Sequence, residues 1–407
     1  MYNFIIHLYK LGIKTAALFK PESKPALMVK GWKETMPKLE NSMEPGRKYL
    51  WFHAASLGEF EQGRPLMEHI RKEHPEYGIV LTFFSPSGYE VRKNYRGADI
   101  ICYLPMDTPK ASRRFVETLR PAAAFFIKYE FWWNYLDSLK ELGIPTYSVS
   151  SIFRDSQVFF KWYGGGYRRV LGCFTHLFVQ DDNSVNLLKQ IGVTNTTVAG
   201  DTRFDRVIDV RDAAKDIPLV KAFKGESLTM VCGSSWGPDE DIFIRHFNEH
   251  PEMKLVIAPH VVSPERIKEI RDKLKRPFAL YSESDEESVK KADCLIIDGY
   301  GFLSSVYRYG EIAYVGGGFG AGIHNVLEAA VYGVPVVFGP NNKRFREARS
   351  LIREGGGFEI NSYNEYEEIM SKFLKQPDYM KESGRKAGSF VSGQAGAADK
   401  VLKAIKL

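Results

Sequence analysis

Cysteine is scarce. Among 407 residues there are four, Cys102, Cys173, Cys232 and Cys294, and no two lie close in sequence. No C-x-x-C pair occurs, which argues against a zinc ribbon, a thioredoxin-type redox pair and a dense disulfide framework. A reducing compartment is expected. Long apolar runs are also missing. The most apolar stretch, residues 2–19, is interrupted by Lys10 and Lys14, whereas a bilayer span needs about 20 apolar residues. No small-residue cleavage site follows it, so it is not expected to be a secretory signal. Low-complexity tracts and solenoid periods are absent. Charge of one sign is not dominant: 56 Lys+Arg against 50 Asp+Glu leaves +6. That balance suits an anionic ligand or membrane surface, and no nucleic-acid partner is expected. Asp181-Asp182 and Asp239-Glu240-Asp241 read as solvated helix starts, not as a divalent clamp, so no metal ligands are expected.

What is present is ordinary globular material, 44% hydrophobic and 26% charged, which excludes disordered, collagen-like and polytopic membrane classes. At about 150 residues per domain the length suggests two or three domains. The first segment is amphipathic. Phe4, Ile5, Leu8, Leu11, Leu18 and Phe19 share one broad helical face, with His7, Lys10 and Lys14 opposite. Lys20, Lys24, Lys30 and Lys33 follow, and each lysine near an anionic leaflet contributes roughly 1 kcal/mol. A monotopic anchor and a helix packed on the protein's own core both fit this pattern.

From residue 48 onward, β-rich runs alternate with amphipathic ones. Strands are expected at 49–54, 79–84, 99–104, 122–128, 145–150 and 177–180. After a pause near 205–225 they resume at 228–232, 255–258, 294–298, 312–315 and 335–338. Such alternation implies βαβ units and parallel sheets. The expected division is an anchor at 1–33, a Rossmann-like domain at 34–205, a linker at 206–225 and a second Rossmann-like domain at 226–378. A helical segment at 379–407 would close the chain and cross back to the first domain. Ligands are then expected at the carboxyl ends of the strands, facing a cleft between the domains.

Four segments carry chemistry. In His53-Ala-Ala-Ser56-Leu-Gly58-Glu59, a strand turns into a helix and Glu59 stands at the helix start. Free N–H groups there favour an ionised carboxylate, which suits a general base; an ordinary helix-start acid, the commoner case, fits as well. In Lys128-Tyr129-Glu130-Phe131-Trp132-Trp133-Asn134, Glu130 is expensive to bury unpaired, so it either meets a cation or faces the cleft. In Gly200-Asp201-Thr202-Arg203-Phe204-Asp205, Arg203 is placed either to stabilise negative charge or to form a structural salt bridge. Ser85-Pro86-Ser87-Gly88 is a further turn with an anion-friendly helix start. The fourth segment, Gly316-Gly317-Gly318-Phe319-Gly320-Ala321-Gly322-Ile323-His324-Asn325-Val326-Leu327-Glu328, follows a strand and runs into an expected helix over 325–332. There backbone can approach a ligand and a phosphate can be held, and Glu328 is placed to accept from ribose hydroxyls. Gly316, Gly318 and Ala321 fit G-x-G-x-x-A, but no acid ends the next strand, which closes in Gly339-Pro340-Asn341-Asn342. A nicotinamide enzyme is therefore disfavoured.

Together these segments, with Gly233-Ser234-Ser235-Trp236, resemble the bacterial 3-deoxy-D-manno-oct-2-ulosonic acid (Kdo) transferases of lipid A assembly, from about Trp51 to Pro340. The resemblance implies an α/β GT-B fold of two Rossmann-like domains, a CMP-Kdo donor and a lipid A precursor (lipid IVA) as acceptor. It implies a peripheral, monotopic position on the cytoplasmic face of the inner membrane. By the same resemblance Glu59 is the proton acceptor, and Glu130 and Arg203 stabilise the transition state. CMP contacts fall on Pro259, His260, Tyr300, Gly301, Phe302, Asn325, Val326, Leu327 and Glu328. Many relatives have Pro-Arg at Pro259-His260, Met-Gly-Glu at Tyr300-Gly301-Phe302 and Glu-Thr-Glu at Lys128-Tyr129-Glu130. The reaction expected is a metal-independent inverting displacement without a resident cofactor. Another GT-B transferase using a UDP-sugar is the rival reading.

Overall fold

A computed structural model describes residues 1–405 and 407. The chain divides into two units. One comprises Met1–Arg206 together with Ala395–Leu407, the other Val207–Gln394.

The first unit is built on a seven-stranded sheet of β1 (Tyr49–Ala54), β2 (Gly78–Phe83), β3 (Ile100–Tyr103), β4 (Ala123–Ile127), β5 (Thr146–Ser151), β6 (His176–Val179) and β7 (Thr196–Val198). Its order is β3-β2-β1-β4-β5-β6-β7. The second unit carries β8 (Leu228–Ser235), β9 (Met253–Pro259), β10 (Phe278–Leu280), β11 (Cys294–Ile296), β12 (Ile312–Val315), β13 (Val336–Phe338) and β14 (Gly357–Glu359), in the order β10-β11-β9-β8-β12-β13-β14. Every strand pair is parallel. Helices cover both faces, so the central strands are apolar along their whole length. β1 reads Tyr-Leu-Trp-Phe-His-Ala and is buried at every position. Trp51 packs on Phe115, Phe126 and Tyr135 on one face, while Phe52 stacks on Phe125 on the other.

In the second sheet β11 is inserted between β9 and the edge strand β10; at the centre of each sheet the strand order reverses, between β1 and β4 and between β8 and β12. At these points successive crossovers leave in opposite directions and open a crevice outside the carboxyl ends of the strands. The candidate residues cluster there.

The expected strands form with ends shifted by a few residues. Three strands were not expected, β7, β10 and β14. Each has three residues and lies at a sheet edge, too short for a period-2 pattern to register. Helix α1 spans Tyr2–Phe19 as expected. Its contact stripe is narrow. Ile6 and Ile13 are buried with Met28, Tyr103 and Met106, while Phe4, Leu8, Leu11, Leu18 and Phe19 stay exposed, the last two above 80%. Tyr2 Oη donates to the buried Asp107 at 2.5 Å, and Asp107 also accepts from the amides of Asn134 and Tyr135.

Three boundaries are corrected. The expected break at 33/34 falls inside helix α2 (Lys24–Ser42), whose buried Met28, Gly31, Thr35 and Leu39 form one face of the first unit. The expected linker at 206–225 is mostly helical, with helices at Thr202–Ala213 and Pro218–Lys224, and the units divide within the first of these. The closing segment is also split. Helix Pro377–Gly393 stays with the second unit, and only Ala395–Leu407 rejoins the first. There Asp205 accepts from the amides of Gly396 and Ala398, holding helix Ala397–Ala404 so that Val401 enters the core.

Candidate active site

The first unit's crevice is set by β1 and β4. After β1, Ala55 and Ser56 turn the chain into α3 (Leu57–Glu73). Glu59 lies in the first turn, partly exposed, beside amides that the helix itself cannot pair. Ser56 makes no side-chain bond to those amides. Its hydroxyl instead donates to the Glu59 carboxylate, orienting the acid while its second oxygen remains available.

Beyond β4, Lys128 adopts φ +68°, a left-handed geometry that costs about 1–3 kcal/mol for a non-glycine residue. It turns the chain so that Glu130 faces the end of β1. There Glu130 Oε2 accepts from Trp132 Nε1 at 2.6 Å and stands 3.2 Å from Nε2 of the buried His53. His53 Nδ1 meets the Thr82 hydroxyl at 2.9 Å and the Thr82 carbonyl at 3.2 Å. A carbonyl only accepts, so Nδ1 carries the proton. Nε2 is then a lone pair that accepts from Trp132 Nε1, 3.1 Å away. Glu130 thus has the Trp132 indole as its donor and stays 13% exposed. His53 had no assigned role from sequence; a histidine ending an apolar strand next to an acid-bearing turn was the available signal.

Arg203 and Asp201 form the third element. The guanidinium donates to Asp201 Oδ2 from Nε at 2.9 Å and from Nη2 at 2.8 Å, and the Arg203 amide and Gln62 Nε2 reach Oδ1. Burial would raise the Asp201 carboxyl, but the Arg203 charge and these donors outweigh it and hold the group below the usual range. Gln62 and Glu59 are three residues apart on α3, so they share a face. The Asp201–Gln62 bond therefore brings the Arg203 turn to the face that carries Glu59. The turn is fixed further by Thr202, which donates to the Gln62 carbonyl and contacts Ser150, another left-handed residue (φ +56°), at a bulge in β5. At the Ser85 turn, the hydroxyl accepts the Ser87 amide at 3.3 Å.

The second unit's crevice lies between β8 and β12. A bulge with Ser234 at φ +53° ends β8, and helix Gly237–Glu249 follows. Gly316 packs so closely on this bulge that a Cβ would strike the Ser234 and Ser235 backbone. Asp239 ties the two sides together. Oδ2 accepts from the amides of Trp236 (3.0 Å) and Gly317 (2.9 Å), and Oδ1 from Tyr314 Oη at 3.0 Å. Burial pushes its carboxyl up. Its neighbour Glu240 is also buried, held by Ser235 at 2.9 Å and by Arg266. The expectation of solvated acids is therefore corrected for Asp239 and Glu240; only Asp241 is exposed, beside Lys273.

A cavity of about 460 Å³ opens here, lined among others by Trp236, Pro238, His260, Phe319, Ala321 and His324. Trp236, His260 and His324 stack in succession at 4.8 and 4.4 Å, and Trp236 Nε1 donates to His324 Nε2 at 3.3 Å. Burial, then the charge of His260, keeps His324 below the usual imidazole range. The volume and the flat aromatic wall suit a nucleotide-sized ligand.

Of the nine residues expected at the nucleotide, His260 lines this cavity. Pro259 ends β9 and is buried. Tyr300, Gly301 and Phe302 follow β11. The Tyr300 hydroxyl accepts the Val262 amide at 2.9 Å, Gly301 has φ +92°, and Phe302 packs on Tyr281. Asn325 accepts from the Leu327 amide and donates to Glu328, and Glu328 also accepts from Ser304 at 2.8 Å. Val326 and Leu327 are fully buried. The helix expected over 325–332 is a single turn, Leu327–Ala330. The longer helix start in this crevice belongs to Gly237–Glu249.

Comparison with known proteins agrees with this architecture. Residues 30–206 match the family model for 3-deoxy-D-manno-octulosonic-acid transferase (kdotransferase). A 3-deoxy-D-manno-octulosonic acid transferase of Aquifex aeolicus is 28% identical over 350 residues, covering 84% of this chain and 90% of that protein. One from Chlamydia muridarum is 27% identical over 308 residues, covering 72% and 70%. The UDP-GlcNAc 2-epimerase of Neisseria meningitidis shares the fold at a TM-score of 0.60 and 14% identity, covering 88% of this chain and 98% of that one. The protein is a glycosyltransferase with the two-domain GT-B fold. Within that class its sequence is similar to the Kdo transferases, whose family model matches residues 30–206.

Replacing Asp239 by Ala tests the architecture of the second crevice. It leaves two amides and a buried tyrosine hydroxyl without their acceptor, and each orphaned group costs about 1–3 kcal/mol. Urea unfolding should show a loss of at least that size. An unchanged midpoint would mean that the glycine-rich loop is held by other contacts.

Proposed function

We propose that the protein transfers Kdo from CMP-Kdo to a lipid A precursor, lipid IVA, in lipopolysaccharide biosynthesis, at the cytoplasmic face of the inner membrane. The observation that carries the reading is the Ser56-oriented Glu59 carboxylate at the start of α3, on the face that Gln62 ties to the Asp201–Arg203 pair. In the proposed single displacement, Glu59 takes the proton from an acceptor sugar hydroxyl. That oxygen attacks the anomeric carbon of Kdo, CMP departs, and the configuration inverts. Glu130 and Arg203 stabilise the transition state. Glu130 sits in a hydrogen-bonded chain ending at His53 and Thr82, which fixes its position before substrate arrives. CMP belongs to the second unit, its base against the Trp236–His260–His324 wall and its phosphate near the start of helix Gly237–Glu249. The reaction is assigned no metal and no resident cofactor.

Support for the membrane location comes from α1. No helix among the described residues is long and apolar enough to cross a membrane. Yet α1 exposes Phe4, Leu8, Leu11, Leu18 and Phe19 without partners, an apolar face flanked by lysines, as a monotopic anchor requires.

The base assignment is tested by Glu59→Gln. Loss of one general base should lower the turnover rate by about 10²–10⁴-fold with the fold intact; near-wild-type transfer would remove Glu59 from the mechanism. The anchor is tested by flotation with anionic phospholipid vesicles. Leu18→Asp with Phe19→Asp should abolish co-flotation at unchanged thermal stability, since both side chains are exposed. Undiminished flotation would place membrane contact elsewhere.

A further inference from the structure

Helix Gly237–Glu249 begins at the candidate nucleotide cavity and ends, about 10–15 Å further along at 1.5 Å per residue, in a cluster with no part in the proposed reaction. His246 and His250 are four residues apart and face the same side, their rings stacked at 3.9 Å. Glu367, from helix Tyr363–Lys375, lies across both. Its Oε2 is 2.7 Å from His246 Nδ1 and its Oε1 is 3.4 Å from His250 Nε2. One ligand atom from each of the three falls within 4.8 Å of the other two. We propose that His246, His250 and Glu367 bind a divalent transition-metal ion, zinc by the chemistry of the donors, which fastens the end of one helix to the other.

Three observations carry this. First, the spacing fits. Zn–N and Zn–O bonds of about 2.0–2.2 Å set tetrahedral ligand atoms roughly 3.3 Å apart, so side-chain rotations, among them a flip of the His246 ring, complete the site. Two imidazoles and a carboxylate suit zinc, and a fourth position is left for water. Second, the ligands are already oriented from behind. His250 Nδ1 lies 2.9 Å from Glu252 Oε1; a carboxylate accepts only, so the proton sits on Nδ1 and Nε2 turns its lone pair toward Glu367. Tyr363 Oη donates to Glu367 Oε2 at 2.9 Å. Such outer contacts are the usual companions of metal-bound histidines. Third, the His246 ring is fully buried, yet its Nε2 has no hydrogen-bond partner among the described residues. The buried His53 uses both ring nitrogens, toward Thr82 and the Trp132 indole. A buried imidazole nitrogen left unpaired is costly; a flip of the ring that presents Nε2 to an ion gives it a coordinate bond in place of the Nδ1 contact with Glu367, whose carboxylate then joins the ion. His250 and Glu367 remain 24% and 32% exposed, which gives an ion its entry.

The test is zinc titration of the full-length protein after chelator treatment and desalting, followed by calorimetry. Cobalt(II) absorption reads the coordination, and thermal unfolding reads the linkage. Wild type should take up one zinc with a raised melting temperature. His250→Ala and Glu367→Gln, both partly exposed positions checked by circular dichroism, should each weaken binding at least about tenfold, the scale on which even outer contacts act. Glu252→Gln should weaken it less. Absence of zinc uptake by wild type would overturn the proposal, as would unchanged affinity in both ligand variants.

Discussion

A parallel strand cannot be reached by a hairpin; each crossover must travel over a face of the sheet and come back. In each sheet the crossovers leave in opposite directions from two neighbouring central strands, β1 and β4 or β8 and β12, and that place is left uncovered at the carboxyl ends of the strands. This constraint decides where everything else goes. In the first unit it brings the end of β1, with His53 and the Ser56–Glu59 turn, beside the end of β4, with Glu130. In the second it sets the bulge of β8 against the glycine-rich loop after β12. Both crevices are polar places inside apolar sheets, so both have to be stabilised by local hydrogen bonds.

The stabilisation is specific. Lys128, Ser150 and Ser234 hold left-handed backbone at the ends of β4, β5 and β8. Such geometry persists only where its surroundings over-determine it, and each of the three lies beside a candidate group. The Trp51–Thr82–His53–Trp132–Glu130 chain satisfies each buried donor in turn. Asp239 does the equivalent work in the second unit with three donors on one carboxylate. These contacts make the candidate groups rigid before any substrate binds, the condition under which fixed dipoles and charges act most strongly on a reacting centre.

The central strands were legible because burial on both faces writes an uninterrupted apolar run, as in Tyr49–Ala54 and Ile312–Val315. The edge strands β7, β10 and β14 were not, since three residues carry no period. Helix α2 was hidden because its buried face includes Gly31 and Thr35, which no hydrophobicity pattern flags. Glu59 and Glu130 stood out from their places after strands, but the His53 beside Glu130 and the Asp201–Gln62 bond that brings the Arg203 turn to the face of Glu59 are set only by the fold. Asp239 and Glu240 were misread for a related reason. An acid at a helix start looks the same whether water or Tyr314, Gly317 and Arg266 surround it. The one-turn helix at Leu327–Ala330 shows the opposite error, an amphipathic run whose segment is instead held by Asn325 and Glu328.

The central claim is the identity of the group transferred. Its most direct test is to incubate the purified protein with CMP-Kdo and a lipid A precursor and to weigh the lipid product by mass spectrometry. The expected result is a lipid heavier by one or more whole Kdo residues, with CMP released in equal number. An unaltered lipid, with CMP-Kdo intact and the protein folded, would contradict the donor assignment. Transfer from a UDP-sugar under the same conditions would replace it.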